Sequence, residues 1–109
     1  MKQTENQVEI DIIKWARSNG WRVRRNHVGV FYTITRTPIR IGTVGEPDWL
    51  LIHPAHGAVW VETKASGKLP DKRQREFIAL LTHLGFKACW VDSLVSLKQK
   101  FSEWGIPMV

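Results

Sequence analysis

Asp48, Glu62 and Lys64 are the residues whose types and spacing best suit chemistry in this chain. Asp48 closes the stretch Gly45-Glu46-Pro47-Asp48, and Glu62-Thr63-Lys64 begins fourteen residues beyond it. Segments 48–52 and 58–64 are apolar, strand-like runs joined by His53-Pro54-Ala55-His56-Gly57. If they pair as an antiparallel hairpin about Ala55, opposed residues have numbers summing to about 110, which sets Asp48 against Glu62. Two carboxylates so opposed, with β-carbons roughly 4.5–5.5 Å apart, destabilise a sheet unless a cation lies between them. Lys64 shares their face, because strand side chains alternate with period 2.

A divalent ion satisfies such a pair. Magnesium takes oxygen ligands, and is held by one or two carboxylates, waters and a substrate phosphate. The backbone carbonyl of Thr63 offers a further oxygen. Phosphodiester hydrolysis is the reaction this arrangement suits, because a bound ion polarises the phosphate and makes water more nucleophilic. Lys64 would orient that water or stabilise the pentavalent charge. A plainer reading makes Asp48 a turn aspartate after Pro47 and Glu62–Lys64 a surface pair, which leaves three charges in apolar strands without a reason.

A third acid can come from the first helix. Glu5 and Glu9 project on the same side as Val8, Ile12, Trp15 and Ala16, whereas Asp11 points away. An inward carboxylate needs a partner. Either glutamate can reach the metal or its water, although acids in a first helical turn are also favoured by the macrodipole, Glu5 more than Glu9.

The surroundings of these acids are basic. The formal net charge is +6 and the pI about 9.9. No acidic residue occurs from Ile12 to Gly45, a span that holds Lys14, Arg17, Arg22, Arg24, Arg25, Arg36 and Arg40. Lys64, Lys68, Lys72, Arg73 and Arg75 form a second basic group. Solvated basic faces are common, but an acid-free block of this length points to a phosphate-binding surface. Arg22, Arg24, Arg25, Arg36, Arg40, Lys68, Lys72 and Arg73 are the candidate contacts.

The elements that must position these groups follow from periodicity. The spacing predicts a helix over 4–19, stopped by Asn19-Gly20. It predicts strands over 21–27 and 30–35 paired as a hairpin, a loop over 37–46, and the two strands carrying the acids. A helix over 71–84, a strand over 86–91 and a helix over 93–104 complete the chain. The order is α-β-β-β-β-α-β-α, an α/β (α+β) fold with a mixed central sheet flanked by helices. At 109 residues, 43% hydrophobic, one domain spanning 1–109 has enough apolar material for a core without staples. Cys89, the lone cysteine, sits in an apolar strand-like run and reads as a buried, inert thiol. A single cysteine, which can form no intrachain disulfide, leads to the expectation of a cytoplasmic protein, and since no apolar run approaches the roughly 18 residues of a membrane span, no membrane partner is expected.

These residues resemble the PD-(D/E)xK nuclease superfamily, and within it the virus-type replication-repair (VRR-NUC) branch. Gly45-Glu46-Pro47-Asp48 is similar to that family's Gly-x-Pro-Asp, and Glu62-Thr63-Lys64 to its Glu-x-Lys. Gln74, with Phe77 after it, resembles the glutamine that opens the next helix. The resemblance extends over nearly the whole chain and implies a restriction-endonuclease-like core and a Mg2+- or Mn2+-dependent DNA endonuclease. It implies Asp48 and Glu62 as metal ligands, Lys64 as the catalytic lysine and Gln74 as its helper. The helix-1 glutamate aligns to Glu9 by distance from Gly20, the alignment favoured here, or to Glu5 as the alternative. Stand-alone members of this size resemble phage or prophage homodimers that cut branched DNA such as four-way junctions. The rival classes are a non-catalytic nucleic-acid-binding module and a restriction-type, sequence-specific nuclease.

The remaining candidates are weaker. His53 and His56 lie close together, but two ligands in a Pro-Gly turn rarely hold a metal. His27 and His83 have no sequence partners. Ser66-Gly67-Lys68 lacks the glycine spacing of a phosphate loop.

Overall fold

A computed structural model describes residues 2–26, 29–32, 34–41 and 45–107, with the backbone alone at 29–31 and 39–41. Helix α1 (Glu5–Ser18) is followed by strands β1 (Arg22–Arg25), β2 (Gly29–Tyr32), β3 (Pro38–Ile41), β4 (Trp49–His53) and β5 (Gly57–Thr63). Helix α2 (Lys72–His83), strand β6 (Lys87–Val91) and helix α3 (Leu94–Glu103) follow. The α+β character and the mixed sheet agree with the sequence reading. The main sheet has the order β1-β4-β5-β6, with β5 and β6 parallel and the other neighbours antiparallel.

Two expectations are corrected. Strand β1 does not form a hairpin with the strand after it; it pairs with β4, Val23 opposite Leu51. The stretch expected to be a loop over 37–46 contains β3, which pairs with β2 as a separate ribbon, Gly29 opposite Ile41 and Tyr32 opposite Pro38. The physical reason is burial: beside β4, β1 lies under α1 with Val23 packed against the core and Arg25 over the Trp49 ring.

The register divides the sheet by residue parity. Partner numbers sum to 74 between β1 and β4 and to 110 between β4 and β5, and differ by 28 between β5 and β6. Every pairing therefore joins odd with odd and even with even, and alternation sends the two sets to opposite faces. The odd face carries Val23, Trp49, Leu51, Val59, Val61, Cys89 and Val91. Val8, Ile12 and Ala16 of α1 and Leu97 and Phe101 of α3 pack with them, all at 0–1% exposure. Each helix starts with a cap: Thr4 accepts from the Gln7 N–H, Asp71 from Gln74, and Ser93 from Ser96. The even face is more open. Helix α2 lies along β6 but buries none of its residues, and Ile52 stays 40% exposed.

Candidate active site

The acids gather where β4 begins and β5 ends. The 110 register runs from His53–Gly57 to Trp49–Val61, so Asp48 and Glu62 are the next facing pair. Gly45 turns the chain into this position with φ +95°, a conformation that suits glycine. A β-carbon there would also lie 2.8 Å from the Arg73 carbonyl oxygen, so the glycine lets the loop approach the start of α2. Asn26 fixes the other side. Its backbone N–H donates to the Asp48 carbonyl at 2.7 Å, and its side-chain amide donates to Glu46 Oε2 at 2.8 Å and the Pro47 carbonyl at 3.1 Å. This clamp was not visible in the sequence, because an asparagine beside a turn carries no such signal by itself.

Glu5, Asp48 and Glu62 each bring a carboxylate oxygen within 4.8 Å of the others. Glu5 is exposed, Asp48 half-buried and Glu62 buried at 1% exposure. Helix α1 is held here by its first residues: Gln3 donates its N–H to Ser66 Oγ, and the Ser66 N–H donates to the Gln3 carbonyl. The structure thus groups Glu5, rather than the favoured Glu9, with the two motif acids. Both Glu9 oxygens are engaged elsewhere. Oε1 accepts from the Thr63 hydroxyl at 3.2 Å, and Oε2 pairs with Arg25 at 3.5 Å. That difference is geometric: Glu9 meets the cluster only through the Thr63 hydroxyl, which also lies 3.4 Å from Asp48 Oδ2, whereas Glu5, one turn nearer the sheet end, brings its own carboxylate oxygen to Asp48 and Glu62.

Lys64 and Gln74 complete the group. The Lys64 ammonium is 3.7 Å from Glu62 Oε2, and the Gln74 amide donates to the same oxygen at 3.3 Å. Gln74 is fixed by a second role, since its Oε1 accepts from the Asp71 N–H while its own N–H donates to Asp71. Asp71 and Gln74 thereby form a capping box, and its consequence is an amide held facing Glu62.

Electrostatics at Glu62 run against ionisation. Burial is the main cause that pushes its carboxyl from an ordinary 4.5 to about 8. A hydrogen bond with Asp48, the Asp48 charge and Glu5 push the same way, while Lys64 opposes them. Glu62 Oε1 is buried and has no hydrogen-bond partner. An orphaned buried carboxylate oxygen beside two other carboxylates fits a hard divalent cation, whose ligands are oxygens and whose charge offsets their repulsion.

The basic candidates divide by face. Arg22 and Arg24 are exposed on the even face, opposite Ile52 and Leu50. Arg25 lies on the odd face, paired with Glu9 and stacked 4.8 Å from the Trp49 ring centre, so it belongs to the scaffold. Lys68, Lys72 and Arg73 are exposed, with Lys72 3.8 Å from Glu76. Arg36 is exposed on the β2–β3 turn, and the Arg40 side chain lies outside the described residues, as does His27. His83 is exposed, and His53 and His56 stack with Trp21 rather than joining a metal cluster among the described residues. Burial pushes the Cys89 thiol up to about 12, which keeps it inert. Among the described residues no helix is long and apolar enough to cross a membrane.

Comparison with known proteins finds no matching family model, no matching curated protein and no matching solved structure.

Proposed function

We propose that this chain is a Mg2+- or Mn2+-dependent DNA endonuclease of the VRR-NUC kind within the PD-(D/E)xK superfamily. The observation that carries the reading is the Glu5–Asp48–Glu62 cluster, with its unpartnered Glu62 oxygen and adjacent lysine, in a chain of net charge +6. Glu5, Asp48 and Glu62 would hold the ion, with the Thr63 carbonyl as a further oxygen. When bound, such an ion supplies Lewis-acid assistance to phosphodiester hydrolysis.

The chain's own residues do the rest. Gln74 orients the Glu62 carboxylate and keeps it facing Asp48. Lys64 positions the attacking water or holds the charge that develops on the phosphate. Glu9 sets the orientation of Thr63 from below and balances Arg25. Arg22 and Arg24 stand on the same face as the acids, and Lys68 and Arg73 lie at the α2 side, so both flanks of the site can hold phosphates. By the resemblance, the substrate is branched or duplex DNA, the product carries a 5′-phosphate and the working unit is an intracellular homodimer. Two symmetric nicks need two sites related by a two-fold axis.

The test is cleavage of labelled duplex, flap and four-way junction DNA in magnesium or manganese, alongside Asp48→Ala and Lys64→Ala. Each substitution is expected to cut activity by at least about 10²-fold, the order of one lost transition-state contact. Isothermal titration of manganese should show binding to the wild type and its loss in Asp48→Ala. Variants that cut at the wild-type rate would sink the site, and binding without cutting in either metal would leave a nucleic-acid-binding module.

A further inference from the structure

The β2–β3 ribbon is the part of the molecule that the catalytic cluster does not use. It forms a sheet of its own and, among the described residues, packs substantially against no other element. Ile34 at its turn is 103% exposed and Tyr32 69% exposed, whereas isolated small apolar exposures would need no explanation. Arg36 beside them holds φ 62°, a left-handed conformation uncommon for a non-glycine residue.

The ribbon also grows out of the site. The chain leaves the main sheet at Asn26, which is bonded to the Asp48 carbonyl, and re-enters at Gly45, three residues before Asp48. Strand β2 rises roughly 10 Å from Gly29 to Tyr32 at 3.3 Å per residue, and the turn that carries Ile34 and Arg36 follows it. The whole ribbon lies in the acid-free block from Ile12 to Gly45. An exposed apolar tip with an arginine beside it, on a basic chain and next to a site for phosphodiesters, matches one surface. That surface is a base pair whose outer face is unstacked, bordered by phosphates. Apolar wedges are inserted at such steps, and aromatic rings stack on any base.

We infer that the β2–β3 ribbon is a wedge for branched DNA, with Ile34 and Tyr32 seated against the open base pair at the branch and Arg36 on an adjoining phosphate. The inference rests on the nuclease reading for its substrate and names the feature of that substrate this chain selects. The scissile phosphodiester then lies near the branch, within the ribbon's reach.

The experiment places 2-aminopurine beside the branch of a four-way junction and in a matched unbranched duplex. Asp48→Ala is added to each, with and without Ile34→Ser or Tyr32→Ser. The expected result is a rise in fluorescence at the branch that either tip substitution abolishes. Junction affinity should weaken about tenfold, the order of one lost stacking contact, with duplex affinity and melting temperature unchanged. An equal rise and equal junction affinity with Ile34→Ser would overturn the wedge. So would a dimer that Ile34→Ser converts to monomer by sedimentation, since the tip would then seat on a second copy. Cleavage by the wild type is read separately. Cutting without unstacking sinks the wedge alone, unstacking without cutting sinks the nuclease alone, and no DNA binding sinks both.

Discussion

The two faces of the main sheet are built from the same strands and behave oppositely. On the odd face Leu51, Val59 and Val61 are fully buried beneath α1 and α3. On the even face the same strands present Asp48, Glu62 and Lys64 at one end and Arg22 and Arg24 at one edge, with α2 covering only β6. One face binds the fold together, while the other carries the acids and stays more open around them, with Glu62 itself buried at 1% exposure. Glu9 and Arg25 mark the boundary, because their charges are paired on the core side and support the strands instead of facing a ligand.

The sharpest way to break this division is to exchange the effects of the two faces. Leu51→Ala on the odd face should cost about 2–5 kcal/mol of stability, as buried Leu truncations do, and lower the melting temperature by roughly 8–40 °C, at about 4–8 °C per kcal/mol. Lys64→Ala, one of the variants already set against DNA, should leave that temperature nearly unchanged. Thermal melts of the two proteins decide it, and a comparable loss in both would erase the distinction.

A second test uses pH on the even face alone. The Glu62 carboxyl, raised to about 8 from 4.5, keeps its proton in the folded chain where the unfolded chain has lost it. That contribution is fully present below pH 4.5 and is lost as pH rises through 8, because the unfolded state then binds fewer protons than the folded one. In EDTA the wild type should lose stability relative to Glu62→Gln between pH 5 and 9, and saturating manganese should reverse the trend. A gap that stays constant with pH would mean that Glu62 is ionised without a cation.

The smallest effect separates two neighbouring arginines. Arg24→Ala should lower the slope of log affinity for DNA against log salt by about 1, as the loss of one phosphate contact does, at no cost in melting temperature. Arg25→Ala should do the reverse, lowering the melting temperature while leaving the salt slope in place. Equal slopes for the two would place both on one surface.

Much of this site could be read without coordinates. The fourteen-residue separation of Asp48 and Glu62 and a short turn at Ala55 sufficed for the register, because an antiparallel pair has a constant partner sum. Lys64 followed from alternation, and Gln74 from the family resemblance. What could not be read was contact between elements. Glu5 and Glu9 are one helical turn apart on the same side of α1, so periodicity cannot separate them; the Gln3–Ser66 pairing that sets the helix along the sheet does. The partner of β1 and the strand in 37–46 were misread for a similar reason, since a short basic strand can pair with any edge and burial of Val23 and Trp49 decides among them.

By itself the chain determined its charge, the facing of Asp48 and Glu62 and its local elements other than the strand within 37–46, because those depend on residue types and on a period of two. Only the tertiary structure decided which glutamate joins them, that Arg25 belongs to the scaffold and that the ribbon stands apart. Those outcomes depend on which surfaces bury one another, and burial is a property of the packed whole rather than of any segment.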